Sequence, residues 1–314
     1  MDSRLRGNDE KTNITMEQAQ VTQLLANDML HRLERLRINA SGRFTNRMRG
    51  EHLAAKGGSS MEFADYRDYV EGDDTRFIDW NIFSRLRKPY IKLFHHEEQM
   101  QIVILVDASS SMMVDGKLER AQQLAAAMCV CGLFAAEPVS VYTFNQPTNN
   151  LSMVGPATGR GSLHKLLKFV ENIESGEGGS QPPDDAVDTM LKRHRGKGIV
   201  VMLSDFLTYG DLKRTFNTLN NAGLEIFACQ ILGERELDPD LTSDLRLVDC
   251  ENADILDVTA QDNLLDLYHE YLSNFQNTIA ALARQRGGKF LCVNSDEDLS
   301  AVLFDQMRRE AWLV

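Results

Sequence analysis

The sequence QIVILVDASSSMM, at residues 101–113, contains the clearest indication of the fold. Its first half contains a run of apolar, mostly β-branched residues, 102–106, which is typical of a strand buried on both faces. The run ends in polar residues, among them Asp107, Ser109 and Ser111. Ligands bind at the carboxyl ends of strands in an open parallel α/β sheet, because loops there lie outside the core. The stretch therefore predicts a central strand that ends in a binding loop.

The polar side chains after this strand are oxygen donors only. The carboxylate of Asp107 and the hydroxyls of Ser109 and Ser111 suit a hard divalent cation such as Mg²⁺, or Mn²⁺ or Ca²⁺, better than zinc or copper. The alternative is a turn and a helix N-cap, since Asp and Ser are common capping residues. Three oxygens at alternate positions after a buried strand favour the ion.

The order of predicted elements after residue 100 indicates the fold class. Strands and helices alternate along this part of the chain, and no internal repeat interrupts them. Such alternation predicts an α/β fold with a doubly wound, mainly parallel sheet and helices on both faces. A smaller N-terminal segment that contains β-strands precedes it.

The Asp-x-Ser-x-Ser pattern of Asp107, Ser109 and Ser111 resembles the metal-ion-dependent adhesion site of von Willebrand factor A (vWA) domains. The resemblance implies a vWA-like fold and two further residues at the ion. Ser180 stands where vWA domains usually have a threonine ligand, with a helix cap as the alternative role. Asp205, after a second apolar strand at residues 199–203, stands where they place a second carboxylate.

A second resemblance lies upstream of the first strand. The residues that carry it are Tyr66, Arg67, Asp68, Tyr69, Gly72, Asp73, Asp74, Arg76, Ile78, Asp79, Trp80, Arg85, Lys88 and Pro89. Together they resemble the signature of the DUF58 family, bacterial vWA-like proteins often associated with MoxR-type AAA+ ATPases. The resemblance implies a role beside such an ATPase in the maturation or assembly of other proteins.

Length and composition are those of a globular protein. With 314 residues, of which 43% are hydrophobic, the chain can bury one large core and a smaller appendage. We expect a disordered tail at 1–15, an N-terminal helix and β-rich segment at 16–100, and a vWA-like domain at 101–314. This domain carries an insertion at about 233–260.

Several features favour a cytoplasmic location without membrane insertion. The longest apolar run, residues 124–136, is shorter than the ~20 residues that span a bilayer. Residues 1–15 lack the apolar stretch of a secretory signal. The five cysteines, an odd number, lie mostly in apolar segments, which indicates reduced thiols and not a disulfide framework.

The charge distribution argues against nucleic acid as a partner. Residues 101–314 hold 18 basic and 30 acidic side chains, so the whole net charge of -12 falls on the predicted binding domain. Binding to a phosphate backbone requires a basic face. We therefore expect a protein partner and no nucleic acid.

Two elements of the N-terminal segment can be predicted from their apolar residues. The spacing of leucines predicts an amphipathic helix over 17–38. Trp80 is expected to be buried between this segment and the sheet, in a docked strap whose arginines pair with aspartates. The alternative is that these aromatic residues form a surface for a partner.

Three functions are compatible with the predicted site. In a binding module, the ion keeps an open coordination position that an acidic side chain of a partner completes. A metal-dependent hydrolase would use the ion to activate water, but it needs a general base, and no histidine lies in the three predicted loops that carry Asp107, Ser180 and Asp205. A scaffold without metal is the third. We favour the binding module, so the protein is expected not to be an enzyme.

The two aspartates of the site give an expectation for the ion-free protein. Asp107 and Asp205 are expected to face each other across the loops. Two like charges ~4 Å apart repel by roughly 4 kcal/mol at an effective dielectric constant of 20. The substitution Asp205→Asn is therefore expected to leave the ion-free protein equally or more stable.

Overall fold

A computed structural model describes residues 20–41, 45–46, 61–97, 99–147, 151–175, 181–208, 210–239, 245–248, 255–258 and 264–314. The predicted tail at 1–15 lies outside them. The strands are β1 (Thr45–Asn46), β2 (Met61–Asp68), β3 (Tyr90–Glu97), β4 (Gln101–Asp107), β5 (Val139–Phe144), β6 (Ser152–Ala157), β7 (Gly198–Ser204), β8 (Leu224–Leu232), β9 (Leu245–Val248), β10 (Ile255–Val258) and β11 (Lys289–Asn294).

The helices lie between and after these strands. In chain order they are α1 (Asn27–Leu33), α2 (Trp80–Leu86), α3 (Lys117–Phe134), α4 (Leu163–Glu171), α5 (Pro183–Arg193), α6 (Leu212–Asn221), α7 (Glu234–Leu237), α8 (Leu264–Arg284), α9 (Leu299–Ala301) and α10 (Met307–Arg309). Short 3-10 segments cover Thr75–Phe77, Ser110–Gly116 and Arg160–Ser162, and a π-helical turn, Val302–Gln306, joins α9 to α10.

A six-stranded sheet in the order β11-β8-β7-β4-β5-β6 forms the centre of the molecule. All neighbouring strands are parallel except β6, which runs antiparallel to β5 at the edge. At the start of β7, a Cβ on Gly198 would lie 1.9 Å from the carbonyl oxygen of Gln101. Glycine is therefore needed at the start of β7, beside Gln101 of β4.

Successive residues of β4 face two different hydrophobic cores, as the alternation of a strand requires. Ile102 and Ile104 pack in the core that contains α1, α3, α4 and the C-terminal helices. Val103 and Leu105 pack in the core that contains α5, α6 and α8. Helices thus cover both faces of the sheet, which confirms the predicted doubly wound α/β fold.

Two smaller antiparallel sheets accompany the large one. The N-terminal segment forms a three-stranded sheet in the order β1-β3-β2, which confirms that this segment contains strands. In the predicted insertion, β9 and β10 pair as antiparallel strands. No helix within the described ranges is both long and apolar enough to cross a membrane.

The N-terminal helix is shorter than predicted. Helix α1 begins at Asn27, and residues 20–26 are not helical. The Thr22 hydroxyl and the Gln23 backbone N–H both donate hydrogen bonds to the Glu171 carboxylate at the end of α4, and the Leu24 backbone N–H donates to Thr22 Oγ1. These side-chain bonds compete with helix formation at the start of the predicted span.

The prediction that Trp80 is buried is wrong. Trp80 begins α2, and 60% of its surface is exposed. Its ring packs edge-to-face on Phe83, with the two centroids 5.9 Å apart, but none of the α2 residues is buried. The other tryptophan, Trp312, is fully buried and contacts the Phe227 ring at a centroid distance of 4.9 Å. The fold therefore places one tryptophan outside and one inside.

Candidate metal centre

The topology of the sheet brings the polar strand ends together. Strands β4 and β7 are parallel neighbours, with Val106 opposite Leu203. Asp107 and the pair Ser204–Asp205 therefore leave the sheet at the same edge. On the other side of β4, Asp107 lies opposite Phe144 of β5, so Asn145 follows at this edge as well. This is the edge at which ligands bind in doubly wound folds.

The carboxylate of Asp107 is buried and held by three neighbours. Its Oδ1 atom accepts hydrogen bonds from the Ser109 backbone N–H and from Asn145 Nδ2, each at 3.0 Å. Its Oδ2 atom accepts one from the Ser204 hydroxyl at 2.7 Å. Burial, and then the negative charge of Asp205, raise the pKa of Asp107 above its usual value. A nearby cation would relieve both effects.

The hydroxyls of Ser109 and Ser111 lie side by side. Both residues are buried, and their Oγ atoms are 3.0 Å apart. Adjacent oxygens in an octahedral Mg²⁺ shell, each about 2.1 Å from the ion, are about 3 Å apart. The two hydroxyls hydrogen-bond to each other, and their spacing also matches that of neighbouring magnesium ligands.

Asp205 does not face Asp107 as an uncompensated charge. Its Oδ2 atom accepts a hydrogen bond from Lys117 Nζ at 2.8 Å, and Lys117 is fully buried. Its Oδ1 atom accepts one from the Leu207 backbone N–H at 3.0 Å. The expectation of two bare, repelling aspartates is thus incomplete, because Lys117 neutralises one of them.

Lys117 also contacts a carboxylate from outside the three predicted loops. Its Nζ atom donates to Glu236 Oε1 of α7 at 2.6 Å. Burial lowers the pKa of Lys117, but the charges of Asp205 and Glu236 raise it by more, so the net pKa is raised. The lysine therefore stays charged although it is inside the protein.

Ser180 lies outside the described residues, so its ligand role stays a prediction. The described residues that flank it both contact the site. The Ser175 hydroxyl donates to the Ser109 carbonyl oxygen at 3.0 Å, and the Gln181 backbone N–H donates to Asn145 Oδ1 at 2.6 Å.

The described side chains fit a hard cation by their chemistry. Asp107, Ser109 and Ser111 provide one carboxylate and two hydroxyls that touch, with no nitrogen or sulfur donor among them. Within the described ranges there is no cluster of three or more His, Cys, Asp or Glu side chains that could hold a metal ion, so an ion here would depend on the hydroxyls beside Asp107. The donor set therefore suits Mg²⁺, or Mn²⁺ or Ca²⁺.

Sequence reasoning missed Ser204, Asn145, Lys117 and Glu236. The first two could have been found, since each follows a buried strand at the edge where Asp107 lies. Lys117 and Glu236 gave no signal. They are 119 positions apart in the chain, and a lysine at the start of a helix usually faces solvent.

Fold and site together define a doubly wound α/β protein with a buried, oxygen-rich cluster at the carboxyl edge of its sheet. The sequence pattern of the family described as "Protein of unknown function DUF58" matches residues 65–276. The chain belongs to this family.

Similar proteins include uncharacterized proteins from Mycobacterium tuberculosis and Mycobacterium bovis. Each is 23% identical over 286 residues, which cover 90% of both chains. Among solved structures, BatB from Bacteroides thetaiotaomicron has 11% identity and a TM-score of 0.43. An aerotolerance-related membrane protein from Bacteroides fragilis has 13% identity and a TM-score of 0.40. Each comparison covers 68% of this chain and 98% of the other.

Proposed function

We propose that the protein is a metal-dependent protein-binding module. Asp107, Ser109 and Ser111 would hold a Mg²⁺ ion, with Ser180 and Asp205 completing its surroundings. The observation that carries the proposal is the buried pair of serine hydroxyls, 3.0 Å apart, beside a carboxylate with a raised pKa. An ion bound by one carboxylate and neutral hydroxyls keeps positive character, which attracts an acidic side chain of a partner.

A binding role is favoured over hydrolysis by the state of the charged groups. A hydrolase needs a base that can accept a proton from metal-bound water. Asp205 is engaged by Lys117 and by a backbone N–H, and Lys117 is itself bound to two carboxylates. None of the described residues that contact Asp107 or Asp205 is a histidine. A hydrolase and a scaffold without metal are the alternatives.

We further propose that the module acts in the cytoplasm as an adaptor or co-chaperone of a MoxR-type AAA+ ATPase in protein maturation or assembly. Membership in the DUF58 family supports this, because the resemblance to that family implies such a partner. The acidic predicted binding domain, with 18 basic and 30 acidic side chains in residues 101–314, supports a protein partner over nucleic acid.

A capture experiment tests this function. The tagged protein is incubated with a purified MoxR-type ATPase from the same genome, in Mg²⁺ or in a chelator, with the Asp107→Asn variant as the matched control. Capture only by the unmodified protein in Mg²⁺ supports the proposal. Equal capture in chelator, or equal capture by Asp107→Asn, would show that binding does not use the metal centre.

A further inference from the structure

A buried cation contacts Asp205, one of the predicted ligands of the candidate metal centre. Lys117 is the first residue of α3, and its side chain has no exposed surface. Its Nζ atom is 2.8 Å from Asp205 Oδ2 and 2.6 Å from Glu236 Oε1. Within the part of the chain that the structure describes, no other basic side chain forms an ion pair with either carboxylate. The site is thus equipped with one fixed positive charge before any ion binds.

The two carboxylates that hold Lys117 are themselves held in place. The Oε2 atom of the Glu236 carboxylate accepts a hydrogen bond from the Gly233 backbone N–H at 2.9 Å. The backbone carbonyl oxygen of Glu236 accepts one from the Tyr268 hydroxyl at 2.6 Å. Nearby, Asp115 forms an ion pair with Arg235 at 3.3 Å, which ties the loop before α3 to α7. Lys117 therefore cannot turn outward without breaking its buried ion pair with Asp205, which makes its charge a permanent part of the site.

The charge balance gives this lysine a function. When all three are ionised, Asp107, Asp205 and Glu236 carry three negative charges, and Lys117, which pairs with Asp205 and Glu236, reduces the net charge to two. A divalent ion in the more negative site would bind more tightly, but it would leave no positive character for an acidic partner.

We propose that Lys117 sets the charge of the metal centre, so that ion binding is weakened and the bound ion remains attractive to a carboxylate. This inference rests on the proposed function. Lys117 has no exposed surface from which to contact the partner. Its effect on the partner would therefore act through the bound ion.

Two nearly isosteric substitutions, which change the charge of the site in opposite directions, test the inference. Lys117→Met removes one positive charge, and Glu236→Gln removes one negative charge. If the effect is electrostatic, Mg²⁺ should bind about tenfold more tightly to Lys117→Met than to the unmodified protein. It should bind about threefold more weakly to Glu236→Gln, a smaller change because the Glu236 side chain is less buried than that of Lys117. Isothermal titration calorimetry with Mg²⁺ alone measures both. General damage to the site would weaken binding in both variants.

Affinity for a carboxylate should move in the other direction. With Mg²⁺ saturating, titration with a terminally blocked aspartate peptide, followed by NMR, should show about tenfold weaker binding to Lys117→Met and tighter binding to Glu236→Gln. Should Lys117→Met fail to fold because Asp205 loses its buried partner, Glu236→Gln alone still gives the sign of the effect, since Glu236 is partly exposed.

The possible outcomes separate the inference from the function on which it rests. Opposite shifts in the two variants support the role of Lys117. Mg²⁺ binding that is unchanged, or shifted in the same direction in both, overturns that role and leaves the metal site intact. No binding to any of the three proteins overturns both. Binding to Lys117→Met but not to the unmodified protein would support the effect of Lys117 on the ion while overturning the proposed metal-dependent function.

Discussion

The Nζ atom of Lys117 lies 2.8 Å from the Oδ2 atom of Asp205, and both side chains are buried. This ion pair divides the two aspartates of the site into different roles. Asp205 has a compensating charge without any ion, whereas the described groups that donate hydrogen bonds to Asp107 are all neutral. We therefore expect Asp205→Asn and Asp107→Asn to have opposite effects on the stability of the ion-free protein.

Asp205→Asn should destabilise the ion-free protein. The substitution leaves Lys117 buried with only Glu236 as its charged partner, and removing one member of a buried ion pair is strongly destabilising. Because Glu236 remains, we expect a loss of up to about 3 kcal/mol, together with a weaker response to Mg²⁺. Thermal melting in chelator and in Mg²⁺ measures both. An unchanged melting temperature in chelator would mean that the Lys117 pair contributes nothing.

Asp107→Asn should leave the ion-free protein equally or more stable. The carboxylate is desolvated and lies near the charge of Asp205, and both effects disfavour its ionised form. Asparagine keeps an oxygen for the Ser109 N–H without the charge. The same melting experiment should show no stabilisation by Mg²⁺. A loss of stability as large as that of Asp205→Asn would indicate that the Asp107 charge is itself stabilising.

The pH dependence of that comparison follows from the sign of the shift. The pKa of Asp107 is raised on folding, so its contribution to stability is fully present below the unfolded value of 3.8 and is lost as pH rises through the folded pKa. In chelator, the stability advantage of Asp107→Asn should therefore be absent near pH 3.8 and should grow as pH rises. Urea unfolding at several pH values measures it. An advantage that shrinks as pH rises would mean that the pKa is lowered.

The two tryptophans should respond differently to truncation. Trp80 is 60% exposed, so Trp80→Ala should change the free energy of unfolding by less than about 1 kcal/mol. Trp312 is fully buried against Phe227, and Trp312→Ala should cost about 3 to 5 kcal/mol. Chemical denaturation of both variants gives the comparison. Similar losses would place Trp80 in a packed environment.

Helix α2 should lose its N-cap in acid. The Asp79 carboxylate accepts hydrogen bonds from the backbone N–H groups of Ile82 and Asn81 and pairs with Lys92, and its pKa is lowered to about 2. A lowered pKa stabilises the folded state above the unfolded value of 3.8, and this contribution is lost as pH falls through about 2.

Hydrogen exchange over residues 80–86 should therefore accelerate between pH 4 and pH 2 relative to the Asp79→Asn variant, which cannot titrate. Comparison of the two proteins at each pH removes the intrinsic dependence of exchange on acid. Identical pH profiles would show that the Asp79 charge does not hold the helix.

The sequence allowed the core of the fold to be predicted because its strongest signals are local. The apolar runs at 102–106 and 199–203 became β4 (Gln101–Asp107) and β7 (Gly198–Ser204), and their order along the chain predicted the parallel sheet. Since both strands end at the same edge, the proximity of Asp107 and Asp205 could also be predicted.

Features that depend on distant partners could not be predicted. Lys117 is buried only because Asp205, 88 positions away, and Glu236, 119 positions away, meet its ammonium group. Trp80 is a large aromatic residue of the kind often found in cores, but it is 60% exposed. Its exposure depends on which segments pack over it, and the spacing of nearby residues does not determine that packing. The late start of the N-terminal helix, at Asn27, likewise depends on a distant carboxylate, Glu171.

Magnesium binding by calorimetry, comparing the unmodified protein with the Ser109→Ala/Ser111→Ala double variant, tests the metal centre most directly. The two hydroxyls form a hydrogen bond with each other. Removing both together therefore leaves no buried hydroxyl that has lost this partner. We predict that the unmodified protein binds one Mg²⁺ ion and that the variant, still folded, binds at least about a hundredfold more weakly. An unmodified protein that gives no binding heat, or a variant that binds equally well, would contradict a magnesium site built on Asp107, Ser109 and Ser111.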